Sequence, residues 1–362
     1  LLEVSSIFEY SFSTNYITEQ RHIVASIPGE KMSSEQTSTS AASAPAINGC
    51  SPPTMAASYG ALQRSTEEIE IPMPWGIVAG KWWGPRQKQP VLALHGWQDN
   101  AGTFDRLCPL LPDEIPILAI DLPGHGKSAH YPKGMHYYIF WDGIALIRRI
   151  VKYFGWDKVT LLGHSLGGAL SFMYAAAFPD DVEGFISIDI AGPPARDHHK
   201  QAANLGDSID RFLRYESLPE SKTPCYGYDD AIDVVLAAYD GSVDLQSVEV
   251  LMRRGMAPAA ERFNKEGFYF ARDLRLKVSL MGMLSLPQVI AHAEKIKCKV
   301  LNIRAVPGMH FDNAEYYPSV IDAMKKSSSK VIYHEIAGTH HIHLVNPERI
   351  SQQVTDFLLD RD

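Results

Sequence analysis

The sequence predicts an α/β fold in which a mostly parallel central sheet is covered by helices on both faces. Two observations lead to this class. Short apolar runs, typical of buried strands, alternate with segments whose apolar residues recur at helical spacing. Several of these runs also end in glycine-containing loops, as expected where a buried strand leads into a loop at the edge of a sheet.

The regular alternation begins near residue 67, where two short strands flank a turn at 74–76. The predicted strands lie at 69–72, 77–83, 91–94, 115–120, 158–162, 185–190, 299–303 and 330–336. The predicted helices lie at 139–154 (ended by Gly155), 169–178, 313–326 and 347–359.

Two segments fall outside this alternation. Between about 193 and 288 helical patterns dominate, so we expect a helical lid inserted between two strands of the sheet. Residues 33–59 are mainly Ser, Thr, Ala and Pro, which cannot form a core, and the acidic start of the chain lacks the features of a signal peptide. The sequence therefore predicts a disordered leader at 1–60 and one domain at 61–362.

Charge and composition exclude several classes of protein. Among 362 residues, 34 Lys and Arg stand against 42 Asp and Glu, and no basic run could follow phosphates, so we expect no nucleic-acid partner. No apolar stretch reaches the roughly 20 residues of a membrane-spanning helix, so we expect no membrane span. The four cysteines form no Cys-x-x-Cys pair and favour a reducing compartment. We expect the cytoplasm, with an organelle such as the peroxisome as the alternative.

Residues 163–167 read Gly-His-Ser-Leu-Gly and fit the pattern G-x-S-x-G between an apolar strand and a helix. Such a sharp turn holds a nucleophile in strained backbone geometry, and it needs small residues on both sides because the chain passes itself closely. The helix that follows directs free N–H groups toward the place where negative charge develops. Ser165 is therefore the predicted nucleophile.

Three segments resemble the signature loops of the α/β-hydrolase superfamily. They read HGWQDN at 95–100, DLPGHGKS at 121–128 and GHSLGG at 163–168. The first two are similar in particular to the serine hydrolase-like (kraken-like) proteins. The resemblance covers about 67–362. It implies the α/β-hydrolase fold strongly and restricts the substrate only weakly.

The same loops supply the predicted oxyanion hole, because the intermediate of acyl transfer carries a negatively charged oxygen that needs preorganised N–H donors. One donor is the backbone N–H of Leu166, directly after the nucleophile. The resemblance implies the backbone N–H of Trp97 as the second, and its side chain can also pack under the lid. His95 is expected to brace this loop and to take no part in the reaction.

A late histidine cluster at 340–343 follows the last predicted strand. In related hydrolases the base follows Gly-x and precedes a proline that opens the final helix, and His340 with Pro347 fits this frame best. His341 is the alternative, and His343 is expected to pack beneath the loop. We expect no metal, because the cluster lacks a His-Glu-x-x-His helix and a nearby carboxylate pattern. We also expect no cofactor.

The acid of the triad has two candidates. The family usually places it after the strand that follows the lid, but Val306 and Pro307 stand there, and Asp312 is the nearest carboxylate. Haloalkane dehalogenases, which share the fold, take the acid from the end of the strand before the lid, where this chain has Asp189. We favour Asp189, because a carboxylate on an apolar strand is costly to bury without a partner such as an imidazolium.

These residues predict a serine hydrolase of the esterase type that cleaves a small or medium hydrophobic ester through an acyl-enzyme on Ser165. The alternative is a non-catalytic protein of the same fold that binds or senses a small molecule. That alternative is motivated by the absence of an acid at the usual position. An intact nucleophile, base and oxyanion loops favour the enzyme.

Overall fold

The computed structural model describes residues 64–195, 197–278, 282–311 and 313–361. The predicted leader at 1–60 lies outside the described residues. The strands are, in chain order, β1 (Thr66–Met73), β2 (Gly76–Trp83), β3 (Val91–Leu94), β4 (Ile117–Ile120), β5 (Val159–His164), β6 (Val182–Ile188), β7 (Met256–Pro258), β8 (Phe268–Phe270), β9 (Lys299–Pro307) and β10 (Lys330–Gly338). The helices are α1 (Ile139–Phe154), α2 (Leu166–Ala177), α3 (His198–Ser217), α4 (Tyr228–Tyr239), α5 (Leu245–Gly255), α6 (Ala259–Phe263), α7 (Leu286–Ala293), α8 (Tyr316–Ser327), α9 (Ile342–Val345) and α10 (Ser351–Leu358).

Eight strands form the central sheet in the order β1-β2-β4-β3-β5-β6-β9-β10. The hairpin β1–β2 is antiparallel, and β2 joins β4 antiparallel. All other pairs are parallel. The predicted mostly parallel sheet is therefore confirmed, and its parallel strands all end at one edge.

Helices cover both faces of this sheet. All four residues of β3 and all four of β4 are buried, although successive side chains of a strand point to opposite faces. Helix α1 buries one stripe of apolar side chains, and Gly155, with φ 68°, ends it as predicted. Helix α2 begins at Leu166, three residues before the predicted start, and is buried over nearly its whole length. It packs directly against β5 and β6.

The insertion between β6 and β9 is helical, as predicted, and it forms the lid. Apolar side chains of α4 and α5, such as Ile232, Val235 and Leu251, pack together with Leu344 of α9. The short antiparallel pair β7–β8 was not predicted, because three-residue strands leave no periodic signal. Helix α7 packs against α2 and α8. Within the described residues, no helix combines the length and apolar character needed to cross a membrane.

Candidate active site

The turn at Ser165 has the strained geometry that its sequence predicts. Ser165 follows β5 directly, lies at φ 50° and ψ −117°, and precedes the first residue of α2. A Cβ atom placed on Gly163 would lie 2.2 Å from the backbone carbonyl carbon of Gly167. A Cβ atom on Gly167 would lie 1.9 Å from the carbonyl oxygen of Leu94. Only glycine fits at either position, and the turn places Ser165, which is itself buried, at the carboxyl edge of the sheet.

Asp189 and His340 meet at this edge. Asp189 follows β6, and its Oδ2 lies 2.7 Å from Nδ1 of His340, which follows β10. The Asp189 side chain is almost completely buried, whereas that of His340 is 17% exposed. The ring of His340 lies 4.6 Å from the ring of His164, the residue before the nucleophile. The fold thus brings the predicted base and the favoured acid into contact beside the turn.

The end of β9 and the loop after it, where the family usually carries its acid, wrap around Asp189 in this chain. The backbone N–H of Ala305 donates to Oδ1 of Asp189 at 2.9 Å, and that of Met309 donates to Oδ2 at 2.7 Å. Gly308 permits this wrapping, because a Cβ atom there would lie 2.6 Å from Oδ1. Neither donor could be predicted from the sequence, because the contacts join residues 116 and 120 positions apart. The alternative acid, Asp312, lies outside the described residues.

The loop that carries Trp97 is braced from behind by two histidines. His95 Nδ1 donates to the carbonyl oxygen of Gly96, and its Nε2 accepts from the N–H of Leu122, at 2.6 and 2.9 Å. The expected bracing role of His95 is therefore confirmed. His125 accepts the N–H of Gln98 at 3.2 Å. The loop after β3 thus has a fixed path, and Gly96 in it lies against His164 and Ser165. Because Leu166 is the first residue of α2, the hydrogen bonds within the helix do not use its N–H.

The other two histidines of the late cluster, His341 and His343, are buried. Nε2 of His343 lies 2.8 Å from Oγ1 of Thr103, so its predicted packing role is confirmed. Nδ1 of His341 contacts Oγ of Ser242 in the lid at 2.7 Å. Nε2 of His164 donates to the carbonyl oxygen of His340 at 2.9 Å. His341, the alternative base, is thus engaged away from Asp189, which contacts His340.

Burial keeps five histidines neutral. It lowers the pKa of His95 to about 4 and the pKa of His125 and His343 to about 3. Burial, together with the neighbouring imidazoles, also lowers the pKa of His164 and His341 well below 6.5. These rings stay unprotonated in the folded protein at pH values where the unfolded chain protonates them.

The folded state should therefore lose stability as the pH falls below about 6.5. For each ring, the free energy of unfolding falls by about 1.4 kcal/mol per pH unit as the pH drops from about 6.5 to the pKa of that ring in the folded state. Burial raises the pKa of Asp99 to about 7, so this carboxyl stabilises the folded state as the pH falls. It is one group against five histidines. We expect the melting temperature to fall by roughly 10 °C or more between pH 7.5 and pH 5. Equal melting temperatures at the two pH values would contradict the burial of these neutral rings.

The lid is fastened to the loops of the site by polar contacts. Thr339, the residue before His340, donates its Oγ1 hydrogen to the carbonyl oxygen of Ser242 at 2.8 Å. The side-chain amide of Asn100 donates to the carbonyl oxygen of Leu251 in α5 at 2.9 Å. The ring of Tyr239 in α4 lies edge-on to His341 at 4.9 Å. Helices α4 and α5 therefore lie next to the loops that carry the predicted base and Trp97.

Comparison with known proteins shows which family this chain resembles. Residues 89–219 match the family described as alpha/beta hydrolase fold. A probable serine hydrolase from Drosophila melanogaster is 59% identical over 294 residues, which cover 81% of this chain and 88% of that protein. Serine hydrolase-like protein 2 from Homo sapiens is 32% identical over 304 residues, covering 80% of this chain and 93% of that protein. The crystal structure of a hypothetical protein from Pseudomonas aeruginosa PAO1 has a TM-score of 0.70 and 28% identity, covering 81% of this chain and 98% of that one.

The sheet order, the turn at Ser165 and these relatives agree with one another. They confirm the fold class and the resemblance inferred from the three loop sequences. They also support activity as a hydrolase. The chain belongs to the α/β-hydrolase superfamily, within the group of serine hydrolase-like proteins.

Proposed function

We propose that this protein is a serine esterase that cleaves small or medium hydrophobic esters. The observation that carries the proposal is the 2.7 Å contact between Asp189 Oδ2 and His340 Nδ1 beside the strained Ser165 turn. A non-catalytic binding protein of this fold has no need for a buried carboxylate that holds an imidazole in one orientation. The alternative is motivated by the absence of an acid at the usual position, and the contact of Asp189 with His340 weakens that motive.

In the proposed mechanism, Asp189 holds the proton of His340 on Nδ1 and leaves a lone pair on Nε2. Ser165 Oγ attacks the carbonyl carbon of the ester while Nε2 takes the hydroxyl proton. The N–H groups of Leu166 and Trp97 stabilise the resulting oxyanion. His340 then returns the proton to the alcohol, which leaves as the C–O bond breaks. A water molecule, deprotonated by His340, attacks the acyl carbon and releases the acid and free Ser165.

The lid supports a hydrophobic substrate. Helices α4 and α5 are built around apolar side chains, and Leu344, four residues after the proposed base, packs into the same cluster. Polar contacts of Ser242 and Asn100 hold these helices against the catalytic loops. A lid with this composition favours an acyl or alcohol group that buries apolar surface.

Replacement of Ser165 by alanine tests the nucleophile. We expect Ser165→Ala to reduce hydrolysis of p-nitrophenyl butyrate to the rate of the buffer, because no other group is placed to form the acyl-enzyme. The melting temperature should change little, since the hydroxyl makes no hydrogen bond that the described residues depend on. Ser171→Ala is the control, because its Oγ donates within α2 to the carbonyl oxygen of Gly167. A Ser165→Ala variant with more than trace turnover would contradict the proposal.

A further inference from the structure

Three buried side chains form a second cluster behind the proposed catalytic groups. Asp99, His164 and His341 offer ligand atoms that all lie within 4.8 Å of one another. Their residues are 3%, 1% and 4% exposed. Asp99 and His341 lie in the loops after β3 and β10, and His164 is the last residue of β5, so only the fold brings the three together. We propose that this Asp99 cluster binds a zinc ion and that the bound ion inhibits the proposed esterase.

His164 presents a ring nitrogen that is ready to bind a metal. A carbonyl oxygen can only accept, so the 2.9 Å contact with His340 O places the ring proton of His164 on Nε2. Nδ1 therefore carries a lone pair, and it is buried without a hydrogen-bond partner among the described residues. Buried polar atoms are usually satisfied, so an unpartnered lone pair at this position points to a missing ligand.

Asp99 presents an unpartnered oxygen to the same place. Its Oδ1 accepts the backbone N–H of Asn100 at 2.9 Å, and the hydroxyl of Thr103 also stabilises the carboxylate. Oδ2 is buried and has no partner with hydrogen-bond geometry in the described part of the chain. None of the salt bridges found in that part involves Asp99. A buried carboxylate is costly without a positive charge beside it, and a divalent cation would supply that charge.

His341 completes the donor set. Its ring centre lies 4.8 Å from that of His164, and its Nδ1 is held at 2.7 Å from Ser242 Oγ. Two imidazoles and one carboxylate, with a fourth position for water, form a ligand set that zinc commonly uses. The sequence predicts no metal here, because the histidine cluster has neither a His-Glu-x-x-His helix nor a carboxylate pattern nearby in the chain. Asp99, more than 200 residues earlier, supplies that carboxylate in space.

Binding at this cluster would disturb catalysis. Each ligand is a chain neighbour of a proposed catalytic group: His164 precedes Ser165, His341 follows His340, and Asp99 lies two residues after Trp97. Ligand atoms of a tetrahedral zinc site lie about 3.4 Å apart, given metal–ligand distances of about 2.1 Å. The ion would therefore draw together atoms that lie up to 4.8 Å apart. Displacements near 1 Å at a catalytic group cost roughly a hundredfold in rate.

The test uses the full chain, freed of metal with EDTA and titrated with zinc chloride in a calorimeter. We expect one zinc ion per chain with a dissociation constant in the micromolar range or below. The same concentrations should inhibit hydrolysis of p-nitrophenyl butyrate, and EDTA should restore it. Asp99→Asn removes one ligand but keeps the shape of the side chain, so zinc affinity and sensitivity to inhibition should both fall at least about tenfold. Asp233→Asn, an identical substitution on the exposed surface of α4, should leave both unchanged.

A wild-type chain that binds no zinc would overturn the proposal. So would an Asp99→Asn variant with unchanged zinc affinity, because the ion would then lie elsewhere, for instance on His340. If Asp99→Asn does not fold, His341→Gln serves in its place, with the zinc-induced rise in melting temperature as the readout. The inhibition rests on the proposed esterase function, but the calorimetric binding does not. If the protein had no esterase activity, calorimetric binding of zinc to the wild-type chain and to Asp99→Asn would still test the zinc site.

Discussion

Asp189→Asn should lower kcat for ester hydrolysis by roughly a thousandfold or more. In the wild-type protein both oxygens of Asp189 accept backbone N–H groups, from Ala305 and Met309, and Oδ2 also accepts Nδ1–H of His340. An asparagine keeps one oxygen, so its NH₂ group must face at least one of these donors. If it faces His340, the imidazole turns to the wrong tautomer and Nε2 can no longer take the serine proton. If it faces Ala305, a buried N–H loses its acceptor.

Because one buried donor becomes unsatisfied in either orientation, we also expect a loss of stability of about 1–3 kcal/mol. Asp312→Asn, which alters the alternative acid, should cost less than about tenfold in kcat. The measurement is kcat on one ester for both purified variants, with circular dichroism to show that each is folded. If Asp312→Asn were inactive and Asp189→Asn active, the acid would lie after the lid, and the assignment of Asp189 as the acid would be wrong.

Gly163→Ala should strongly destabilise the protein, although it adds only one methyl group. The new Cβ atom would lie 2.2 Å from both the carbonyl carbon and the carbonyl oxygen of Gly167, and these are backbone atoms at the start of α2. They cannot move without displacing Ser165 and the helix that holds it. We expect a loss of about 3 kcal/mol or more in the free energy of unfolding, at the upper end of overpacking effects, and loss of esterase activity.

Gly206→Ala is the matched control for this change. Gly206 lies inside α3, and a Cβ atom there would meet nothing within 4 Å. The substitution should therefore raise stability by up to about 1 kcal/mol through helix propensity. Thermal and urea unfolding of both variants decides the comparison. A Gly163→Ala protein with wild-type stability and kcat would show that the close packing of the turn is not required.

The order of strands and helices could be predicted because local patterns carry it. Continuous apolar runs predicted β3 and β4, and a helical stripe ending in Gly155 predicted α1. The start of α2 was placed too late, because Gly167 and Gly168 have the composition of a loop. In the structure these glycines are helical, since only they fit against the backbone of β3 and the side chains of β6 and its following loop.

The parts that could not be predicted depend on how distant loops meet. The local sequence at 305–309 does not indicate that its N–H groups bind Asp189. The two contacts join residues 116 and 120 positions apart in the chain. The approach of Asp99 to His164 and His341 is equally non-local, and so the histidine cluster was interpreted without its carboxylate. Asp189 itself could be favoured, because a carboxylate at the end of an apolar strand indicates a buried partner whatever that partner is.

The central claim, that Ser165 is an activated nucleophile, is tested most directly by reaction with a fluorophosphonate followed by peptide mass spectrometry. The account predicts one adduct per chain, located on Ser165, absent from Ser165→Ala and formed much more slowly by Asp189→Asn. Folded wild-type protein that forms no adduct, or forms it on another residue, would contradict the account and favour a non-catalytic binding protein.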